Sequence, residues 1–536
     1  MLAPSLLTAG GLYLTGPRIN LWGLAFVAWL PLLIAATPTV DGGRRRLWPV
    51  YVGGLVYWVS VLAGLRHAHP LMFLPALAMA AYLAIFFVII VWAIRRGVAA
   101  GWPLAIVFPW AVLTTELFRN YFATGISVAM LSHAVTSATW LIQPARIGGA
   151  YLVSVLIAFV TGSLADLYRR RGPSRRDLPA VLIVVAWATY GGWVCRSQPS
   201  PADGPTRGVL LVGLNEPTDY AQTVARSGEI FRRYIAATES ALSEAGTPVH
   251  LLVWPESMFG GGVPHTVLGP DAAPPPDAAM DETTFLALAR QQSRYVTDTA
   301  AMLRSRFTTL NGDTAPDWIA GGGVAVYDRD ITTHSGWLAI DDSGVDYYGK
   351  HHLVMFGEYL PVLGWFAWTS RFIPPGMTLR PGDNSTARRV GGLDVLPNIC
   401  IETAVERIPR RALSATPAPR TVDAIVTLTN DAWFDGSEIV AHHRRCGQWV
   451  AASLARPVLS AANGGPTYAT DAHGRLTAGG NGEAVLAVPL ADRSDHPITL
   501  YTRLGIGPHL MLALAGVPLL RRRPPPPNRP EPSNDN

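Results

Sequence analysis

Three residues of this chain carry chemistry at points where an apolar run stops. Glu256 closes "LLVWPE", Lys350 follows "DYYG", and Cys400 closes "LDVLPNIC". A carboxylate, an ammonium and a thiol brought to one place make a nucleophilic centre. The thiolate attacks, the carboxylate takes and returns the proton, and the ammonium stabilises negative charge developing on the substrate oxygen. The ammonium also favours the thiolate. Each residue has an ordinary reading beside this one. A free cysteine is most often a small buried hydrophobe. Glu256 taken alone fits a surface acid at a strand end, and Lys350 a solvated loop lysine. Separated by 94 and then 50 residues, the three have no local spacing that shows contact.

Gathering them falls to the elements around them. "GVLLVGL", "VHLLVWPE", "DWIAGGGVAVY", "LDVLPNICIE" and "VDAIVTLTND" are short β-branched or leucine-rich runs. Between several of them, "AQTVARSGEIFRRYIAATESALSEAG" and "ETTFLALARQQSRYVTDTAAMLRSR" place apolar residues at helical spacing. This alternation predicts an α/β layered domain over residues 205–495, with its site at the carboxyl ends of strands. Residues 260–280, rich in Gly, Pro and Ala, read as a loop, either a lid or a solvated insertion.

The remainder is a different kind of sequence. Of 536 residues only 15% are charged and 49% are hydrophobic. A soluble domain carries about a quarter charged residues, so the deficit points to membrane segments. Candidate spans are 2–16 (short), 20–40, 48–65, 71–94, 98–117, 142–167, 178–194 and 504–520. The chain thus divides into a transmembrane bundle of about seven spans at 1–195, the layered domain, a C-terminal transmembrane helix at 504–520 and a proline-rich, disordered cytoplasmic tail at 521–536. Basic runs flank the spans at Arg44–Arg46, Arg95–Arg96, between Arg169 and Arg176, and at Arg521–Arg523. With these on the cytoplasmic side, eight spans put both termini inside and the layered domain outside. Losing the short first span would move the N-terminus but not the domain. The net charge of +5 is therefore an anchoring signal, and no nucleic-acid partner is expected. No basic segment precedes residue 2, so no cleavable signal peptide is expected. Three cysteines (Cys195, Cys400 and Cys446) make no disulfide framework.

Four blocks go further. "VWPES", "YYGKHHLVMFGEYLP", "NICIE" and "TNDAWF" together closely resemble the Glu–Lys–Cys blocks of the nitrilase (carbon–nitrogen hydrolase) superfamily. The multispan half, including "NLWGLAFVAWLPLL", resembles with the terminal span the apolipoprotein N-acyltransferase family, the integral-membrane branch of that superfamily. The resemblance implies a polytopic α-helical membrane bundle joined to an αββα sandwich. It implies a bacterial inner-membrane enzyme with its catalytic domain on the periplasmic side. Its reaction would move a fatty acyl chain from a phospholipid donor to the N-terminal amine of a lipoprotein through a cysteine thioester. By position, Glu256 matches the family's general base, Lys350 its oxyanion lysine and Cys400 its nucleophile. Glu358 in "FGEY" matches the second glutamate that positions the site, and Glu402 the acid two residues after the nucleophile. This chain departs from the pattern with Ile401 in place of tyrosine, Met355 in place of proline and Ser453 at an acid position. An expected Gly-Asn at the start of the domain appears only as "VGLNEP". These departures bear on the acceptor more than on the chemistry.

Two other readings stand beside the acyltransferase. One is a nitrilase-like membrane amidase or acyltransferase with another acceptor, of the conjugal-transfer type. The other is a non-catalytic membrane component that uses a nitrilase-like domain as a binding surface, which retention of all three positions weighs against. No cofactor and no metal are expected, because the lysine supplies the electrophilic charge. The pairs His351–His352 and His442–His443 have no third ligand at a useful spacing. Trp365, Phe366, Trp368 and Phe372 follow "FGEYLP" and read as an arm at headgroup level that admits lipid, or else as a loop packed over the domain's own core. Cys446 reads as packing, and Cys195 as a residue at a span end.

Overall fold

Leucine, isoleucine and alanine in long unbroken runs dictate helices, and the first part of the chain consists of them. In the computed structural model these are α1 (Leu2–Leu14), α2 (Leu30–Ala36), α3 (Trp48–Leu62), α4 (Phe73–Ala99), α5 (Leu104–Tyr121), α6 (Thr139–Ile142), α7 (Ala145–Arg170) and α8 (Leu178–Arg196). The structure describes residues 1–37, 46–69, 72–122, 125–197, 205–219, 222–274, 280–355, 357–359, 378–383, 386–492 and 495–521. Among the described residues, four helical segments are long and apolar enough to cross a membrane: Trp48–His67, Phe73–Ala99, Ala145–Arg170 and Arg175–Arg196.

The other four candidate stretches fall short for identifiable reasons. A hydrocarbon core takes about 20 helical residues, and α1 has 13. The stretch Trp22–Ala36 is a 3₁₀ turn (Trp22–Phe26) followed by a separate helix with Pro31 in its first turn. Residues Gly507–Leu520 form a short helix and a 3₁₀ turn. Helix α5 has 18 residues but carries Glu116, Arg119 and Asn120, all buried inside the bundle. Helix α8 is the opposite case. It buries only Trp187, Gly191 and Val194 and exposes Leu178, Val181, Leu182 and Val185, the distribution of a helix whose free face meets lipid.

Beyond residue 205 the apolar period shortens and strands appear: β1 (Thr206–Gly213), β2 (Val249–Val253), β3 (His265–Leu268), β4 (Asp317–Tyr327), β5 (Ile331–Asp341), β6 (Gly344–Gly349), β7 (Arg388–Val390), β8 (Leu393–Ile399), β9 (Ala424–Asn430), β10 (Val458–Asn463), β11 (Thr467–Thr470), β12 (Leu476–Gly480) and β13 (Ala484–Ala491). They form two sheets, ordered β13-β1-β2-β4-β5-β6 with β3 beside β4, and β12-β11-β10-β9-β8-β7. Strand β3 lies inside the stretch read as loop. It pairs in parallel with Val324–Tyr327, and Val267 packs against the core under the outer helices, so apolar burial overrides the turn-rich composition there.

The sheets pack face to face through Leu211, Val253, Ile319 and Trp337 on one side and Ile399, Val426, Leu428 and Ala461 on the other. Helices α9 (Val224–Glu244) and α10 (Glu282–Leu310) cover the first sheet, and α11 (Arg407–Ala415) and α12 (Glu438–Leu454) cover the second. The layers therefore run α–β–β–α. Helix α12 serves two cores at once. Val450, Ala451 and Leu454 face the second sheet, while Cys446, Trp449 and Ala452 belong to the core of the bundle. That double burial seats the sandwich on the bundle and accounts for Cys446 as packing.

Candidate active site

Strand β2 runs into the turn Trp254–Ser257, where Ser257 takes a left-handed φ of 64° and Glu256 is buried. Strand β4 passes so close that a Cβ on Gly321 would lie 2.4 Å from the Glu256 Cα, and only glycine fits. The Gly321 N–H closes the turn on the Pro255 carbonyl at 3.1 Å. Lys350 follows directly on β6. Its Nζ donates to Glu256 Oε1 at 3.0 Å and to Glu358 Oε1 at 2.6 Å. Ser335 Oγ also donates to Glu256 Oε1 at 3.0 Å, and the Val354 N–H holds Glu358 Oε2 at 2.7 Å. Burial opposes the charge on Lys350, but the Glu256 and Glu358 carboxylates outweigh it and hold the ammonium well above its ordinary range. Burial raises Glu358, with Lys350 opposing.

Cys400 sits at the first residue after β8 with φ of 48°, a left-handed conformation costly for a residue with a side chain. Such a turn lifts the thiol off the end of the sheet. Burial and then the Glu256 carboxylate push the thiol up, while Lys350 draws it down. The resting group is therefore a thiol, with carboxylate and ammonium both inside its electrostatic reach.

Glu402 is fully buried and serves as a bracket. One oxygen accepts from Tyr348 Oη at 2.7 Å, from the His351 N–H at 2.7 Å and from the His352 N–H at 3.1 Å, and the other from the Ile399 N–H at 2.7 Å. It ties the segment after Lys350 to the turn that carries Cys400. Tyr348 and Ser335 were not singled out by the sequence reading. No pattern marks them, because β5 and β6 bury their residues in continuous runs and not alternately. Asp431, inside the quoted "TNDAWF", and His443 also reach this turn. His443 Nε2 lies 2.9 Å from the Cys400 carbonyl oxygen, and its Nδ1 lies 3.3 Å from Asp431 Oδ1.

The thiol is met from the other side by the bundle. A cavity of about 350 Å³ extends from Cys400 and Ile401 along Tyr82, Met79, Ala76 and Leu62 of the α3–α4 region, and takes in Phe122, Ile126 and Met355. Its lining is overwhelmingly apolar, and its volume suits a small-molecule site. The sequence reading did not foresee it, because its walls come from segments more than 300 residues apart in the chain. Trp365, Phe366, Trp368 and Phe372, expected as the lipid-admitting arm, lie outside the described residues. Cys195 lines a separate open cleft with Trp140 and Arg475. His442 and His443 point to different partners, His442 toward Glu438 at 3.9 Å.

Comparison with known proteins bears on both halves. A family model described as the apolipoprotein N-acyltransferase N-terminal domain matches residues 8–163. A protein of Rhodopirellula baltica named apolipoprotein N-acyltransferase is 37% identical over 94% of this chain and 94% of its own length. One of the same name from Brucella melitensis biotype 1 is 27% identical over 87% of this chain and 84% of its own. Among solved structures, Nit3 of Saccharomyces cerevisiae, a member of branch 10 of the nitrilase superfamily, matches with 15% identity and a TM-score of 0.35. That match covers 58% of this chain and 97% of Nit3.

Proposed function

Because this chain belongs to the apolipoprotein N-acyltransferase family, a membrane enzyme that N-acylates lipoproteins, we propose that Glu256, Lys350 and Cys400 carry the reaction and that Cys400 carries the acyl chain between donor and acceptor. The Cys400 thiol loses its proton to Glu256 and attacks the ester carbonyl of a phospholipid. Lys350 stabilises the tetrahedral oxyanion. Glu256 returns the proton to the departing lysophospholipid alkoxide, and a thioester remains. Glu256 next deprotonates the lipoprotein α-amine as it attacks the thioester; the C–S bond breaks, an amide leaves, and the Cys400 thiolate recovers the proton from Glu256. Glu358 holds Lys350, Glu402 braces the nucleophile turn, and no metal takes part. Two displacements through one covalent intermediate give ping-pong kinetics.

The observation that carries this reading is the apolar cavity that runs from the bundle to the thiol. A hydrolase of small soluble amides has no use for such a channel, whereas a fatty acyl chain needs one to bring its ester carbonyl to a half-buried sulfur. The bundle is read as eight spans in the bacterial inner membrane. The sandwich, residues 205–495, faces the periplasm, the last span is 504–520, and 521–536 is a cytoplasmic tail. Trp365, Phe366, Trp368 and Phe372 are read as the arm that admits lipid.

Incubation of the detergent-solubilised protein with phospholipid, followed by intact-mass measurement, tests it. The expected result is the mass of one acyl chain, released by hydroxylamine and absent from Cys400→Ala. A wild-type protein that stays unmodified with every phospholipid offered, while its Cys400 still reacts with a small thiol reagent, overturns the reading.

A further inference from the structure

The mechanism above leaves unexplained how Cys400 is kept in a left-handed turn that its side chain disfavours. A largely buried ring, 15% exposed, stands against that turn. His443, on α12, places Nε2 2.9 Å from the Cys400 carbonyl oxygen and Nδ1 3.3 Å from Asp431 Oδ1. A carbonyl oxygen can only accept, and so can a carboxylate. Both ring nitrogens must therefore donate, and the ring between them is an imidazolium. Asp431 is itself fixed by Thr429 Oγ1 at 3.1 Å, at the end of β9, the strand beside β8. The chain of contacts runs from one sheet strand through Asp431 and His443 to the backbone of the nucleophile on the next.

We infer that His443, gripped by Asp431, is a positioning residue: it holds the Cys400 carbonyl by a charge-assisted hydrogen bond and so keeps the thiol aimed at the end of the acyl cavity. Such bonds are roughly twice as strong as neutral ones, and this one holds the carbonyl of a residue whose left-handed conformation is otherwise disfavoured. The assignment agrees with the direction of the ring's basicity. Burial opposes its charge, but Asp431 outweighs burial and raises it. His443 and Asp431 also line the cavity beside Cys400, so the pair sits where the sulfur must turn toward its substrate. Of the other charged groups near this turn, Glu256 and Lys350 engage each other, and Glu402, an acceptor, takes the Ile399 N–H, so the carbonyl is left to His443.

The inference rests on the proposed role of Cys400, and its test separates the two. Glutamine places an amide N–H where the histidine Nε2 was, whereas asparagine reaches only the Nδ1 position. His443→Gln thus keeps the donor to Cys400, and His443→Asn keeps only the partner of Asp431. Single-turnover acylation by phospholipid and alkylation of Cys400 by iodoacetamide are measured for both, with thermal unfolding as a control. His443→Asn is expected to lose about 10²-fold in both rates, the scale of a small misplacement of a reacting atom, at an unchanged half-saturating phospholipid concentration. His443→Gln is expected to recover to within about tenfold of wild type. Equal losses in the two variants, or no loss in either, overturn the inference. If the wild type takes no acyl chain but alkylation still separates Asn from Gln, the positioning role stands and the acyl-carrier reading falls.

Discussion

The two sides of the Cys400 pocket are built on opposite principles. On the sandwich side, each charged group is caught between several partners. Lys350 touches two carboxylates, and Glu402 takes four hydrogen bonds. On the bundle side, the wall is Met79, Ala76, Leu62, Phe122 and Ile126, with Arg119 turned over the Trp58 ring at 5.2 Å from its centroid. Directional bonds fix atoms to a few tenths of an ångström. Apolar contact fixes only shape and volume. On the proposed mechanism, the sandwich would decide whether a bond is made and the bundle which chain arrives.

The strongest test of that division is Lys350→Met, which keeps the length of the side chain and removes its charge. Losing an oxyanion donor costs about 10²–10³ in rate. The change also leaves the Glu256 and Glu358 carboxylates facing each other without a cation, and breaking a buried pair costs roughly 3–5 kcal/mol. The acylation rate should fall by at least about 10³-fold, while binding of a fluorescent phospholipid analogue to the bundle stays as in wild type. A variant that acylates within about tenfold of wild type would remove the lysine from the chemistry. A variant that loses lipid binding equally would erase the division between the two sides.

The sequence revealed these two sides unequally. Glu256, Lys350 and Cys400 announce themselves because each ends a strand-like run, and strand β4 coincides with the run "DWIAGGGVAVY". Strand ends are legible because the apolar pattern that makes a strand also stops there. Ser335, Tyr348 and His443 carried no such mark. Their roles come from register between β5 and β6 and from the docking of α12, which are set by tertiary packing. The cavity is the extreme case. Ala76 and Met79 read as ordinary span residues, and only the seating of α12 on the bundle brings them to Cys400. The stretch 98–117, read from sequence as a span, falls short in the structure for a related reason. Glu116 and Arg119 lower the hydropathy of α5 because that helix is buried among its neighbours.

The seam between the regions provides a second test. Glu406, six residues past Cys400, is enclosed where α7, the sandwich and the C-terminal segment meet, and Tyr501 Oη donates to it at 2.7 Å. Burial pushes its carboxyl up to about 7. The sign follows from proton counts. Between the ordinary carboxylate range and pH 7 the unfolded chain has released this proton and the folded chain still holds it. Stability therefore falls as pH rises through that window and levels off above it. Glu406→Gln removes the titration while keeping an acceptor for Tyr501. Relative to wild type it should be similarly stable at pH 5 and more stable at pH 8, by roughly 2–3 kcal/mol in unfolding free energy. If the two proteins keep the same difference at both pH values, Glu406 is not what couples the seam to pH.

The finest test asks whether the bundle wall measures chain length. Ala76 lines the cavity on α4, away from every group proposed to do chemistry. Ala76→Phe would fill space that two or so methylenes of a long donor chain occupy. At about 0.8 kcal/mol per buried methylene, the rate with a long-chain phospholipid should drop roughly tenfold, and a donor shorter by a few carbons should escape the loss. Alkylation of Cys400 by iodoacetamide should be unchanged, because that reagent does not use the cavity. A uniform loss with every donor would mean that the new ring has displaced the Cys400 turn. No loss with any donor would mean that the chain takes another route, and the apolar side of the pocket would then have no part in selecting the substrate.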